Sequence, residues 1–218
     1  MNSRFELIIF DWDGTLSDSV GHITDLMIQS FLRHKIKPPT KSEVADILGI
    51  KLIEAFEILL RNKNQAAKDM ILESYIDLYN KHSRTLKLFE GVELGINELH
   101  RIGYKIAIAT GGGRGYLDNC LEQTSFKDNI SVTKTSDDCI SKPHPQMCTE
   151  IMSELIIEPE KTLLVGDSIH DLQMAKNAGI SSLAVTYGAH KKDDLSKYSP
   201  LDYIEDANLI FDWIRRNG

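Results

Sequence analysis

Four short apolar runs, each followed by a turn and then by residues at helical spacing, constrain this chain more than any other feature. They are Leu7-Ile8-Ile9-Phe10, Lys105-Ile106-Ala107-Ile108-Ala109, Thr162-Leu163-Leu164-Val165 and Ser182-Leu183-Ala184-Val185. A near-continuous apolar run of this length reads as a strand buried on both faces. Helical patterns follow over Val92 to Arg101, Gly115 to Gln123, Pro143 to Leu155, Ser168 to Ala178 and Asn208 to Arg216, with weaker strands at Ile130 to Thr133 and Tyr203-Ile204. Strand-helix alternation predicts an α/β fold, a doubly wound, Rossmann-like parallel sheet with helices on both faces.

Between the first two strands the pattern changes. Val20, Ile23, Met27, Phe31 and Leu32 predict one amphipathic helix, capped by Asp18 or Ser19. Val44 to Leu48, then Leu52 to Leu60, then Ile71, Tyr75, Leu78 and Tyr79 predict three more. Pro38-Pro39 and Gly49 break the sequence of helices. Residues 17–85 therefore read as a helical-bundle cap domain inserted into an α/β core of residues 1–16 and 86–218. An insertion behind the first strand would lie over a site at that strand's end, where it excludes water and selects substrate.

The strand ends carry the chemistry. Asp11-Trp12-Asp13-Gly14-Thr15-Leu16 follows the first strand, and paired carboxylates at such a place are costly unless they bind a cation or react. Ligands bind at the carboxyl ends of parallel strands. Thr110 with Gly111-Gly112-Gly113 follows the second strand, a hydroxyl and glycines suited to a phosphate oxygen. Without the GK[ST] of a P-loop, that run does not read as a triphosphate cradle. Lys142 lies in Ser141-Lys142-Pro143-His144-Pro145, with Pro143 expected in the first turn of the next helix and His144 on the surface. Asp167 and Asp171 follow the fourth strand in Gly166-Asp167-Ser168-Ile169-His170-Asp171.

Together these four pieces resemble, in order, the motifs of the haloacid dehalogenase superfamily, whose first motif is Asp-x-Asp-Gly-Thr-Leu. The resemblance implies a phosphatase using Asp11 as nucleophile, Asp13 as general acid and base, and Lys142 to neutralise the phosphoryl group. It further implies phosphate contacts from Thr110, Lys142 and the backbone at Trp12 and Gly111. A Mg²⁺ cofactor would be held by Asp11, Asp167 and the Asp13 carbonyl, with Asp171 supporting. Dehalogenase members lack the second Asp, so Asp13 favours phosphoryl transfer. Gly111 stands where many family phosphatases carry Asn, and Trp12 replaces the more frequent Phe. Cap position and length resemble the phosphoglycolate phosphatase and β-phosphoglucomutase branch. The expected substrate is a small phosphorylated metabolite of phosphoglycolate or sugar-phosphate type. The alternatives are a phosphomutase, a phosphonatase using a cap lysine such as Lys51, and a non-catalytic binding protein.

Composition bounds the partners. With 25 Lys and Arg against 32 Asp and Glu, the net charge of -7 argues against nucleic acid. No apolar run approaches the roughly 20 residues of a membrane helix, and no leader is visible, so a cytoplasmic monomer or small homo-oligomer is expected. Three cysteines without a CxxC suggest neither a disulfide framework nor a zinc site.

Overall fold

The computed structural model describes residues 4–81 and 86–218. Its centre is a six-stranded, all-parallel sheet built from β1 (Leu7–Phe10), β2 (Lys105–Ala109), β3 (Val132–Lys134), β4 (Thr162–Gly166), β5 (Ser181–Val185) and β6 (Tyr203–Ile204). The strand order is β3-β2-β1-β4-β5-β6. The chain winds outward from β1 on one side, then crosses to β4 on the other. The carboxyl ends of β1 and β4 thus flank the point where the winding reverses, the usual ligand crevice of such sheets.

Period-two alternation divides the sheet's side chains between two cores. Ile8, Phe10, Ile106, Ile108, Leu163 and Val165 face one layer, packed with Val92, Ile96 and Leu99 of α5 (Val92–Arg101) and Ile210, Phe211 and Ile214 of α10 (Ala207–Asn217). Leu7, Ile9, Ala107 and Leu164 face the other, against Met147 and Ile151 of α7 (Gln146–Leu155) and Met174 of α8 (Ile169–Ala178). Between β2 and β3 lies α6 (Arg114–Leu121), and α9 (Lys192–Leu195) follows β5.

Residues 20–81 hold α1 (Val20–Arg33), α2 (Lys41–Ala45), α3 (Leu52–Leu59) and α4 (Gln65–Lys81). They enclose a core of their own, with Leu26, Met27, Phe31, Val44, Phe56, Ile71, Tyr75 and Leu78 buried. The predicted boundary at 85/86 adjoins residues 82–85, outside the described residues.

Several local expectations shift. The third strand forms at Val132–Lys134 instead of Ile130 to Thr133, because a 3₁₀ turn at Lys127–Asn129 takes up the preceding chain. Pro143 is not in the first turn of a helix: the Lys142–Pro143 bond is cis, and α7 starts at Gln146 after Pro145. Ser19 precedes α1 but its hydroxyl does not cap it. Thr40 does cap α2, in a reciprocal pairing with Glu43, and Ser168 pairs in the same way with Asp171 at α8.

Candidate active site

Asp11 and Asp167 leave the carboxyl ends of adjacent strands, and Asp171 stands on the first turn of α8 behind them. Each of the three presents a carboxylate oxygen within 4.8 Å of the others, and all three are buried. Lys142 reaches them from the loop before α7. Its Nζ donates to Asp11 Oδ1 at 2.5 Å and to Asp171 Oδ1 at 2.7 Å, and only 1% of the residue is exposed. Burial works against the charge on Lys142, but Asp11 and Asp171 outweigh it and hold the ammonium protonated. Asp171 Oδ2 is taken by the Ser168 N–H and hydroxyl, so this carboxylate fixes Lys142 and the helix start together.

One amine does not neutralise the three acids. Burial first, then the charge of Asp171, pushes Asp11 well above the ordinary carboxylate range. The same two causes, in the same order, raise Asp167 to about 7. Asp167 is itself gripped: Oδ1 accepts from the Thr15 hydroxyl at 3.2 Å and Oδ2 from the Ala189 N–H at 2.6 Å. Gly188, which composition and motifs did not mark, lets its backbone approach this closely, since a Cβ there would lie 2.1 Å from Asp167 Oδ2. An excess of buried carboxylate oxygens suits a hard divalent cation. Asp171 is spent on the Lys142 ammonium and on two donors of Ser168, whereas each Asp167 oxygen accepts from a single neutral donor, so Asp11 and Asp167 are the carboxylates that would hold one.

Asp13 faces the cavity two residues beyond Asp11. Its Oδ1 accepts from the Ser19 hydroxyl at 2.6 Å and from the Tyr116 hydroxyl at 2.6 Å. Burial raises the Asp13 carboxyl, and these two donors pull it only part of the way back. Tyr116 had no sequence signal: a lone tyrosine on a helix reads as core until the helix is seen to start beside the strand end. Thr110 is also buried here. Its Oγ1 accepts from the Gly112 N–H at 3.0 Å, leaving the hydroxyl hydrogen for an oxygen in the cavity. The Trp12 indole, by contrast, turns into the sheet core beside Phe126, so only its backbone borders the site.

The cap helices close over this floor. Gly111 is not a gap left by a missing side chain: a Cβ there would lie 2.3 Å from the Gly49 carbonyl oxygen and 2.8 Å from that of Ile50. The 49–50 loop of the cap occupies the space that a larger residue would fill. Lys51, at the start of α3, ties the cap to the floor. Its N–H donates to Ser141 Oγ at 2.8 Å and its Nζ to the Ser136 carbonyl at 2.9 Å, both on the α/β core. The Asp46 carbonyl oxygen meets His170 Nε2 at 2.8 Å on the far side. A cavity of about 180 Å³ remains between cap and floor, bordered by Asp11, Asp13, Thr110 and Gly111.

A family model for haloacid dehalogenase-like hydrolases matches residues 8–185. Pyrophosphatase PpaX of Bacillus cereus (strain B4264) is 30% identical over 223 residues, spanning 98% of this chain and 100% of that protein. Among solved structures, a hydrolase from Pseudomonas syringae superposes with a TM-score of 0.86 at 20% identity, covering 97% of this chain and 98% of the other. A predicted phosphoglycolate phosphatase from Haemophilus somnus gives 0.84 at 19% identity, covering 97% and 99%. At these identities the structural likeness speaks to the fold.

Proposed function

Since the chain belongs to the haloacid dehalogenase-like hydrolases, we propose that it is a Mg²⁺-dependent phosphatase of a small phosphorylated metabolite, working through an aspartyl-phosphate on Asp11. The observation that carries this reading is the Asp11–Lys142–Asp171 chain at the cavity floor, with Asp13 two residues away on the same side. Lys142 occupies one oxygen of Asp11 and leaves the other for attack on phosphorus.

The chemistry then balances in two steps. Asp11 forms an O–P bond as the bond from phosphorus to the alcohol oxygen breaks, and protonated Asp13 gives its proton to that oxygen. Water next attacks the same phosphorus, loses a proton to Asp13, and releases phosphate and the Asp11 carboxylate. Lys142, the Thr110 hydroxyl and the backbone N–H groups at Trp12 and Gly111 carry the charge on the equatorial oxygens. Mg²⁺ bound by Asp11, Asp167 and the Asp13 carbonyl would add charge neutralisation at the phosphoryl group. Asp171 acts through Lys142.

The name of the Bacillus relative favours a second reading, hydrolysis of pyrophosphate by the same groups. No helix among the described residues is long and apolar enough to cross a membrane, and a cytoplasmic enzyme acting on small solutes fits that. The test is phosphate release from phosphorylated metabolites and pyrophosphate, with Mg²⁺ and with a chelator, beside the Asp11→Asn variant. Chelator-sensitive release that the variant abolishes supports the proposal. Release by Asp11→Asn at a rate near the parent's would refute the nucleophile.

A further inference from the structure

The cavity above Asp13 bears on the identity of the leaving group. It is walled mainly by the cap, through Ile23, Met27, Leu48, Ile50, Tyr75 and Tyr79. None of the described residues lining it is Lys, Arg or His. Lys51, the cation next to the 49–50 loop, is drawn away onto the Ser136 carbonyl and toward Asp137 at 4.0 Å. Tyr75, Tyr79 and Tyr116 form a row, with ring centroids 6.3 Å and then 5.8 Å apart, and the row ends where the Tyr116 hydroxyl meets Asp13.

Asp13 marks where the leaving oxygen must sit, since it supplies the proton. The body attached to that oxygen therefore lies along the tyrosine row and against the aliphatic wall. Resting on the phosphatase reading above, we infer that the substrate is the phosphate monoester of an uncharged alcohol with an aromatic or largely apolar body. Such a body gains by leaving water and can stack on the rings. A second anionic group, as in phosphoglycolate or pyrophosphate, would shed its hydration in this wall with no cation among the described lining residues to meet it.

The experiment compares KM for benzyl phosphate, phosphoglycolate and pyrophosphate in the Mg²⁺-loaded full chain. KM rather than turnover is compared because the three leaving groups differ in basicity. The expected result is a KM for benzyl phosphate at least about tenfold below the other two, in the range a pocket of matched polarity provides. Tyr79→Ala should raise the benzyl phosphate KM by about tenfold while changing that for phosphoglycolate less than about threefold. A KM for phosphoglycolate or pyrophosphate equal to or below that for benzyl phosphate overturns this inference and leaves the phosphatase reading standing. Absence of release from all three, in folded protein with Mg²⁺, overturns both.

Discussion

The Tyr116 hydroxyl donates to Asp13 Oδ1 at 2.6 Å, joining residues 103 positions apart at the floor of the cavity. Burial and the charge of Asp13 keep the phenol well above its ordinary range, so it remains a donor across the working pH. The bond favours the carboxylate form of Asp13 and fixes its rotamer. Tyr116→Phe should lower kcat by about tenfold, a fraction of what general acid-base catalysis supplies. The pH profile distinguishes positioning from mere packing. Asp13 must start protonated, so activity declines as pH rises through its pKa. Losing a donor to the carboxylate raises that pKa and should move the alkaline limb to higher pH. An unmoved limb would leave Tyr116 with a structural role only.

Gly111 and the Gly49 carbonyl meet too closely for any side chain at position 111. Gly111→Asn should therefore hold the cap off the floor. The expected outcome is a loss of about tenfold or more in kcat/KM, because a site left open to water weakens every charge interaction in it. Melting should change little, since the contact joins two separately cored parts of the chain. Parent-like kinetics in this variant would show that the seated 49–50 loop is not needed for turnover.

Asp167 offers a linkage test. Its folded-state pKa is raised from an ordinary 3.8 to about 7, so folding favours the protonated acid. That contribution is complete below about pH 4 and disappears as pH rises through about 7. In chelator, the melting temperature should drop between about pH 5 and about pH 8. Mg²⁺ binds the ionised form, so its stabilising effect should grow over the same interval. Calorimetry at both pH values, with and without Mg²⁺, is decisive: a Mg²⁺ shift that is larger at the lower pH contradicts the assignment.

Asp13→Asn removes a carboxyl that burial has raised above its usual range. Turnover should be lost while stability near pH 7 increases. A gain of about 1 kcal/mol corresponds to about 2–4 °C in melting temperature for a chain of this length. Near-normal turnover in this variant would end the acid-base assignment.

Lys51→Ala tests whether the cap lysine takes part in chemistry. Its Nζ is bonded to the Ser136 carbonyl and is not among the groups lining the cavity. The ion pair to Asp137, at 4.0 Å and part-exposed, contributes little. Activity within about threefold of the parent is expected. Complete loss, with an imine trapped by borohydride in the parent, would instead support phosphonatase chemistry.

Much of this protein was legible from local sequence. The runs at 7–10, 105–109 and 162–165 are apolar enough to be strands without outside help. Asp11, Thr110 and Asp167 follow strand ends by one residue, where a parallel sheet places its ligands. A helix start was legible where a side chain caps its own backbone, as at Ser168, and misread where another carboxylate took the hydroxyl. Ser19 is such a case, bonded to Asp13 and not to α1. Only the tertiary structure set β1 beside β4, aimed Lys142 at Asp11 from 131 residues away, brought Tyr116 to Asp13 and filled the space over Gly111 with the cap. The physical reason is range. A residue's periodicity and capping chemistry act over one or two turns of chain, whereas these contacts depend on how whole layers pack, and a window of neighbouring residues holds no record of that.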